Sequence, residues 1–188
     1  MHLLYFTLTH YQNFDTQQTT SAFNGPIFFS NNGFSYNISV TGPGSNQFFN
    51  SFAFGSPAIS LNNDTDTILV SFTSGNITAV GGDIFTSNVS GFQALGNVTV
   101  NLNDGTSVIV PTTSLVAPAP FRGFISDKPI TSLSLTANPV ANSRWPTLDN
   151  FYVGATAAAV PFEFNPALGL VALGGLWGVK KLRQKNKS

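Results

Sequence analysis

Apolar residues in this chain recur at every second position, in short runs that clusters of Gly, Pro and Asn cut off. Phe34, Tyr36, Ile38 and Val40 alternate with small polar residues and stop at Thr41-Gly42-Pro43-Gly44. Phe48, Phe52 and Phe54 hold one parity up to Gly55-Ser56-Pro57, and Ile68, Val70 and Phe72 do the same before Ser74-Gly75-Asn76, with Ile77 and Ala79 beyond. Leu133, Leu135 and Ala137 form another run after Pro129, and Leu148 to Val153 supplies a closing strand. Period two between turn residues is the pattern of strands that bury one face. Roughly nine or ten strands, without an amphipathic helical stretch, predict an all-β, antiparallel β-sandwich, jelly-roll-like.

One hairpin can be read to its register. Val98, Val100 and Leu102 precede Asn103-Asp104-Gly105, and Thr106, Val108 and Val110 follow. A two-residue Asp-Gly turn sets Val100 against Ile109 and Val108 against Asn101, which mixes the faces. A three-residue loop pairs Leu102 with Thr106, Val100 with Val108 and Val98 with Val110. Only this register keeps the apolar residues together, because a slip of one residue turns every side chain over. It requires a type I turn with Gly105 left-handed in a bulge.

Composition narrows the function. The 188 residues hold 18 Phe but only 9% charged residues. Five of the eight cations, Lys180, Lys181, Arg183, Lys185 and Lys187, crowd the end of the chain. Before Val160, Arg122, Lys128 and Arg144 face seven Asp, a balance of −4. That body has no basic stripe for phosphates, which argues against nucleic acid. Without Cys there are no disulfides, thiolate metal sites or Cys nucleophile.

The character changes at the end. Residues 1–153 read as the β-sandwich domain, and the small residues 154–160 as a linker. Residues 161–188 then run from Pro161-Phe162-Glu163-Phe164-Asn165-Pro166 through Ala167 to Val179 without a charge, ending in the basic cluster. As a helix, Phe162 to Val179 spans about 27 Å, close to the bilayer hydrocarbon thickness of about 30 Å. Gly169, Gly174, Gly175 and Gly178 weaken a helix in water, whereas lipid forces the backbone to satisfy itself and small residues allow close packing. A C-terminal hydrophobic (transmembrane) helix is therefore expected, its cationic end held in the cytoplasm. The competing reading, a buried helix of the domain, fits poorly with five adjoining cations.

A Pro-Phe-Glu motif, a short apolar span and a basic terminus, in that order, resemble the PEP-CTERM family of bacterial sorting signals. Val160-Pro161-Phe162-Glu163-Phe164, Leu168-Gly169-Leu170 and Gly174-Gly175 look most like the Pro-Phe-Glu (PFE-CTERM) variant of cyanobacteria, and Trp177 belongs to the same expected membrane segment. The resemblance implies recognition of Pro161, Phe162 and Glu163 by an exosortase-type membrane protease. It further implies a transient anchor in the inner membrane through the apolar segment, and export to the cell surface or extracellular matrix. Val80-Gly81-Gly82-Asp83, Asn103-Asp104-Gly105-Thr106, Phe121-Arg122-Gly123-Phe124 and Leu148-Asp149-Asn150-Phe151 resemble stretches of the β-rich bodies that carry such tails. Met1 to His10 departs from the pattern: it has no Lys or Arg and no cleavage site, so either a signal peptide stands upstream of Met1, the favoured reading, or this copy is not exported by the usual route.

Catalytic groups are sparse, and the expectation is a structural or adhesive protein that is not an enzyme. A glycosidase needs two carboxylates at a set separation, and a hydrolase here would have to gather its Asp residues in one cleft. His2 and His10 lie on a segment expected to fray, a poor base for a Ser-His-Asp triad. No cofactor is expected. Asp64 and Asp66 could offer oxygen ligands to calcium, but without the spacing of a full calcium loop they read first as a polar hairpin loop. Asp149 beside Asn150 has the same two readings, metal ligand or loop cap. Trp145 and Tyr152, with Arg144 nearby, are candidates to stack on sugar rings. They carry the alternative function, a carbohydrate-binding module for extracellular polysaccharide.

Overall fold

The computed structural model describes residues 6–17, 21–53, 56–116, 119–139 and 142–156. The Pro-Phe-Glu motif, the apolar segment and the basic end lie outside the described residues. Within them the strands are β1 (Phe6–Gln12), β2 (Phe23–Asn24), β3 (Ile27–Asn31), β4 (Phe34–Thr41), β5 (Gln47–Ala53), β6 (Ser56–Leu61) and β7 (Thr67–Phe72). There follow β8 (Ala79–Ser87), β9 (Gln93–Ala94), β10 (Gly96–Leu102), β11 (Ser107–Thr112), β12 (Phe121–Ile125), β13 (Ser132–Asn138) and β14 (Trp145–Thr156).

They form two antiparallel sheets. One has the order β12-β8-β14-β6-β5-β2, with β1 also on β14 and β9 on β8; the other runs β11-β10-β13-β7-β4-β3. The alternating residues meet between them. Tyr36, Ile38, Ile68, Val70, Val100 and Leu135 of the six-stranded sheet share one buried cluster with Ile59, Ile84, Leu148, Phe151 and Val153 of the eight-stranded sheet. The architecture is an antiparallel β-sandwich of two sheets. The β10–β11 hairpin has the register that keeps its apolar residues together, Val98 opposite Val110 and Val100 opposite Val108. Gly105 is left-handed at φ 90, and the Leu102 N–H donates to the Thr106 carbonyl at 2.9 Å.

Two expectations are corrected at the edges of the domain. The described part of the segment expected to fray, through His10, belongs to β1, which pairs with β14 from Thr9 opposite Gly154 to Gln12 opposite Phe151. Ladder hydrogen bonds hold it, which a short segment of few apolar residues did not reveal. The expected linker begins too early: β14 runs on through Thr156, with Gly154 opposite both Thr9 and Ala79. Small residues suit a strand crowded by neighbours on both sides. Residues 157–160 lie outside the described residues.

Candidate functional site

The site begins with an irregularity in β14. Its pairing with β8 runs from Trp145 opposite Ser87 to Asp149 opposite Asp83, then resumes with Tyr152 opposite Gly81. Gly82 alone separates the two β8 partners, whereas Asn150 and Phe151 separate those on β14. This is a β-bulge, a device that re-aims side chains. Asn150 takes φ 46, a left-handed conformation that Asn tolerates better than most residues. Leu148, Phe151 and Val153 are buried in the core. The extra residue therefore puts Asp149, Asn150 and Tyr152 together on the outer face, where unbroken alternation would send Asn150 inward.

Register lays out that face in rows across the strands. Phe121 of β12 lies opposite Asp83 of β8, which lies opposite Asp149. In the next row Gly123, Gly81, Tyr152 and Tyr11 follow one another, and beyond it Ile125, Ala79, Gly154 and Thr9. Small residues thus make a floor between Phe121 and Ile125 on one side and Tyr152 on the other. The result is a groove of about 600 Å³, with Asp83 and Asn150 also in its lining. The floor needs its glycines: a Cβ on Gly81 would lie 2.9 Å from Phe121 Cζ and 3.2 Å from the Gly123 Cα. Farther along β8, Phe85 is buried with Ala58 and Ala119, so the outer face is covered there and open at the groove.

The aromatic walls are accessible. Phe121 is 56% exposed, Tyr152 41% and Tyr11 47%. The Phe121 and Tyr152 rings meet edge to face at 6.0 Å, and Tyr11 lies against Tyr152 at 4.7 Å with a tilt of 32°. Polar groups are organised by Asn150. Its Nδ2 donates to Asp83 Oδ2 at 2.8 Å, and its Oδ1 accepts the Tyr11 hydroxyl. Its own N–H donates to Asp149 Oδ1 at 2.7 Å.

Asp149 is 4% exposed. Burial pushes its carboxyl up to about 6; the Asn150 N–H opposes this, and the carboxylates of Asp83 and Asp15 add to it. Burial also raises the Tyr11 phenol, with Tyr152, Asp149, Asp15 and Asp83 adding to the effect. No Lys, Arg or His is among the described residues that line the groove. It is an electronegative site.

Of the residues singled out in the sequence, the structure brings Tyr152 to the groove and leaves Trp145 and Arg144 out. Trp145 is half-buried, packs against the core and borders a separate cleft of about 90 Å³ with Phe49, Leu61 and Asn62. Seven positions along an extended strand separate it from Tyr152 by about 20 Å. Arg144 is spent on backbone, its Nε and Nη1 donating to the carbonyls of Leu95 and Ser143 at 2.8 Å.

Asp64 and Asp66 are occupied by backbone donors from different loops. Ser143 N–H donates to Asp64 Oδ2 at 2.8 Å. Gly44 N–H donates to Asp66 Oδ1 at 2.7 Å and Asn46 N–H to Oδ2 at 3.1 Å. Asp104 accepts the Thr106 N–H of its turn, which holds its carboxyl below the usual range. His10 is buried edge to face against Tyr36, and burial lowers its pKa. Opposite Val153 in register, it lies on the core face of the sheet, away from the groove and Asp83, so His10 forms no triad there; His2 lies outside the described residues.

Tyr11, Asp83 and Phe121 were not anticipated as site residues, and Asn150 was read only beside Asp149, as part of a metal site or loop cap. A signal for three of them was present: three of the four stretches that resemble sorting-signal bodies, around Gly81-Gly82-Asp83, Phe121-Arg122-Gly123 and Asp149-Asn150, converge here.

No family model matches the chain, and no curated protein matches it. Among solved structures it is similar to an exo-β-1,3-galactanase from Phanerochaete chrysosporium with galactose, at 17% identity and a TM-score of 0.38 over 78% of this chain. The chain spans 29% of that enzyme. It is also similar to two structures of family 29 carbohydrate-binding modules, both at 12% identity and a TM-score of 0.41. One is a mutant made to probe ligand recognition, matched over 83% of this chain and 100% of its own; for the other the shares are 85% and 99%.

Proposed function

We propose that this chain is a glycan-binding β-sandwich that takes a neutral or amine-bearing polysaccharide into the groove beside Tyr152. The observation that carries this reading is the exposed aromatic pair Tyr152 and Phe121, set over small residues beside the Asp83–Asn150 pair. A pyranose ring presents C–H groups on its faces and hydroxyls at its rim. Aromatic walls accept the first, and a carboxylate and an amide accept the second. An apolar cleft with a few fixed polar groups is the general form of a small-ligand site. Carboxylates without a lining cation repel uronates and sulfated sugars. Asp83 is the one carboxylate among the described lining residues, which favours binding over catalysis.

Retention on insoluble polysaccharides tests this. The protein is expected to bind a neutral or amine-bearing polymer and to pass through a uronate polymer. Tyr152→Ala should weaken retention roughly tenfold or more, which corresponds to at least about 1.4 kcal/mol. Trp145→Ala, outside the groove, should leave it unchanged. Equal retention of the parent protein and Tyr152→Ala sinks the assignment.

Where the protein works rests on the tail. The order of Pro161-Phe162-Glu163, apolar span and basic end supports an exported protein, anchored briefly in the inner membrane and processed by an exosortase-type protease. At the surface or in the matrix, a glycan-reading body would act as an adhesive one. Glu163→Ala is expected to block processing while leaving the fold intact, so the mature species disappears from the mass spectrum of cell extracts. An unchanged product mass counts against the sorting role.

A further inference from the structure

We propose that Asn150 is a positioning residue that fixes the Tyr152 wall of the groove by bracing Tyr11 behind it; this rests on the glycan-binding reading. Strand order places Tyr11 on the far side of Tyr152 from Phe121, since β12, β8, β14 and β1 follow one another across the sheet. Tyr11 is not in the groove lining. It backs the wall, with its ring 4.7 Å from that of Tyr152.

β1 is joined to this sheet through β14, and Tyr11 is about half exposed, so an exposed phenol needs a tether to hold one orientation. The Asn150 amide provides it. Its oxygen accepts the Tyr11 hydroxyl while its nitrogen donates to Asp83, which ties β1, β14 and β8 together through one side chain. Both ends of the amide are used, so its orientation is set: nitrogen toward the carboxylate, oxygen toward the phenol. Gly would relieve the left-handed backbone at this position. The presence of Asn, in a conformation that costs an L-residue about 1 kcal/mol, fits a requirement for the amide. Outliers of this kind collect at binding sites because the surroundings overdetermine them.

Two variants separate the brace from the backbone. Asn150→Gly keeps the left-handed conformation and deletes the amide; Tyr11→Phe keeps the ring and deletes the hydroxyl. Each is expected to weaken polysaccharide retention roughly fivefold, the scale of one hydrogen bond. The double variant should be no weaker than the poorer single one, because both remove the same link. Asn150→Gly should also reduce the tyrosine near-ultraviolet dichroism of the Tyr11–Tyr152 pair, with the melting temperature little changed. Retention and dichroism both at the parent level overturn the brace. If the parent protein binds no polysaccharide, the glycan reading fails by itself, and the dichroism of Asn150→Gly still decides whether the amide orders the pair.

Discussion

Exchange of Asp66 for asparagine lowers the stability of the sandwich by about 2–4 kcal/mol and the melting temperature by roughly 5–15 °C. The side chain is fully buried, and each carboxylate oxygen accepts a backbone N–H, from Gly44 and from Asn46. Those donors lie in the connection from β4 in one sheet to β5 in the other, so the carboxylate fastens a crossing between layers. An amide keeps one oxygen and turns an NH2 toward the second donor, which leaves a part-buried backbone N–H facing another donor. The loop packs closely on the carboxylate. A Cβ on Gly44 would come within 2.6 Å of Asp66 Oδ1, and one on Gly42 within 2.5 Å. Calorimetric melting of Asp66→Asn against the parent protein measures this. A melting temperature within a degree of the parent's would show that the loop does not depend on the carboxylate.

Phe151→Ala costs more, about 3–5 kcal/mol, by deleting a fully buried ring and leaving a cavity. Phe151 is 0% exposed, meets Tyr36 edge to face at 5.6 Å and stacks on Phe72 at 6.3 Å. Its partners come from β4 and β7 of the opposite sheet, so the loss is taken between the layers rather than within one. Phe151→Leu, which keeps most of the volume, should lose less than half as much. In urea titrations the midpoint falls while the slope stays constant if the fold is unchanged. Equal midpoints for Phe151→Ala and the parent would contradict the packing described.

The strands that could be read in advance have one face on the core and one in water. β4, β7, β10 and β13 alternate for that reason, and the β10–β11 register followed from keeping Val98, Val100, Val108 and Val110 on one side. β8 could not be read in this way. Eight of its nine residues are buried, because its outer face is covered at one end by the Phe85 cluster and crowded at the other by Phe121. Two-sided burial erases the alternation, and Gly81-Gly82 and Gly123 count against a strand until the close packing that requires them is known.

The groove was legible in part. Tyr152 was a candidate because it clusters with Trp145 and Arg144 late in the chain, but Trp145 is near it in sequence and far along the strand. The actual neighbours arrive from β1, β8 and β12. The bulge that gathers them depends on the backbone sign at Asn150, which the letters Asp-Asn-Phe do not carry.

The seam between β1 and β14 joins the earliest and the latest of the described strands. Tyr11 and Asn150 touch across 139 positions, and β14 fills the gap between β8 on one side and β6 and β1 on the other. Contacts between such distant segments must offset the entropy of closing a long loop before they contribute anything. While the chain is being made, a partly emerged domain can hold hairpins such as β10–β11 but not the wall, the brace or the polar end of the groove. The groove therefore takes shape only when β14, the last of the described strands, joins the sheet.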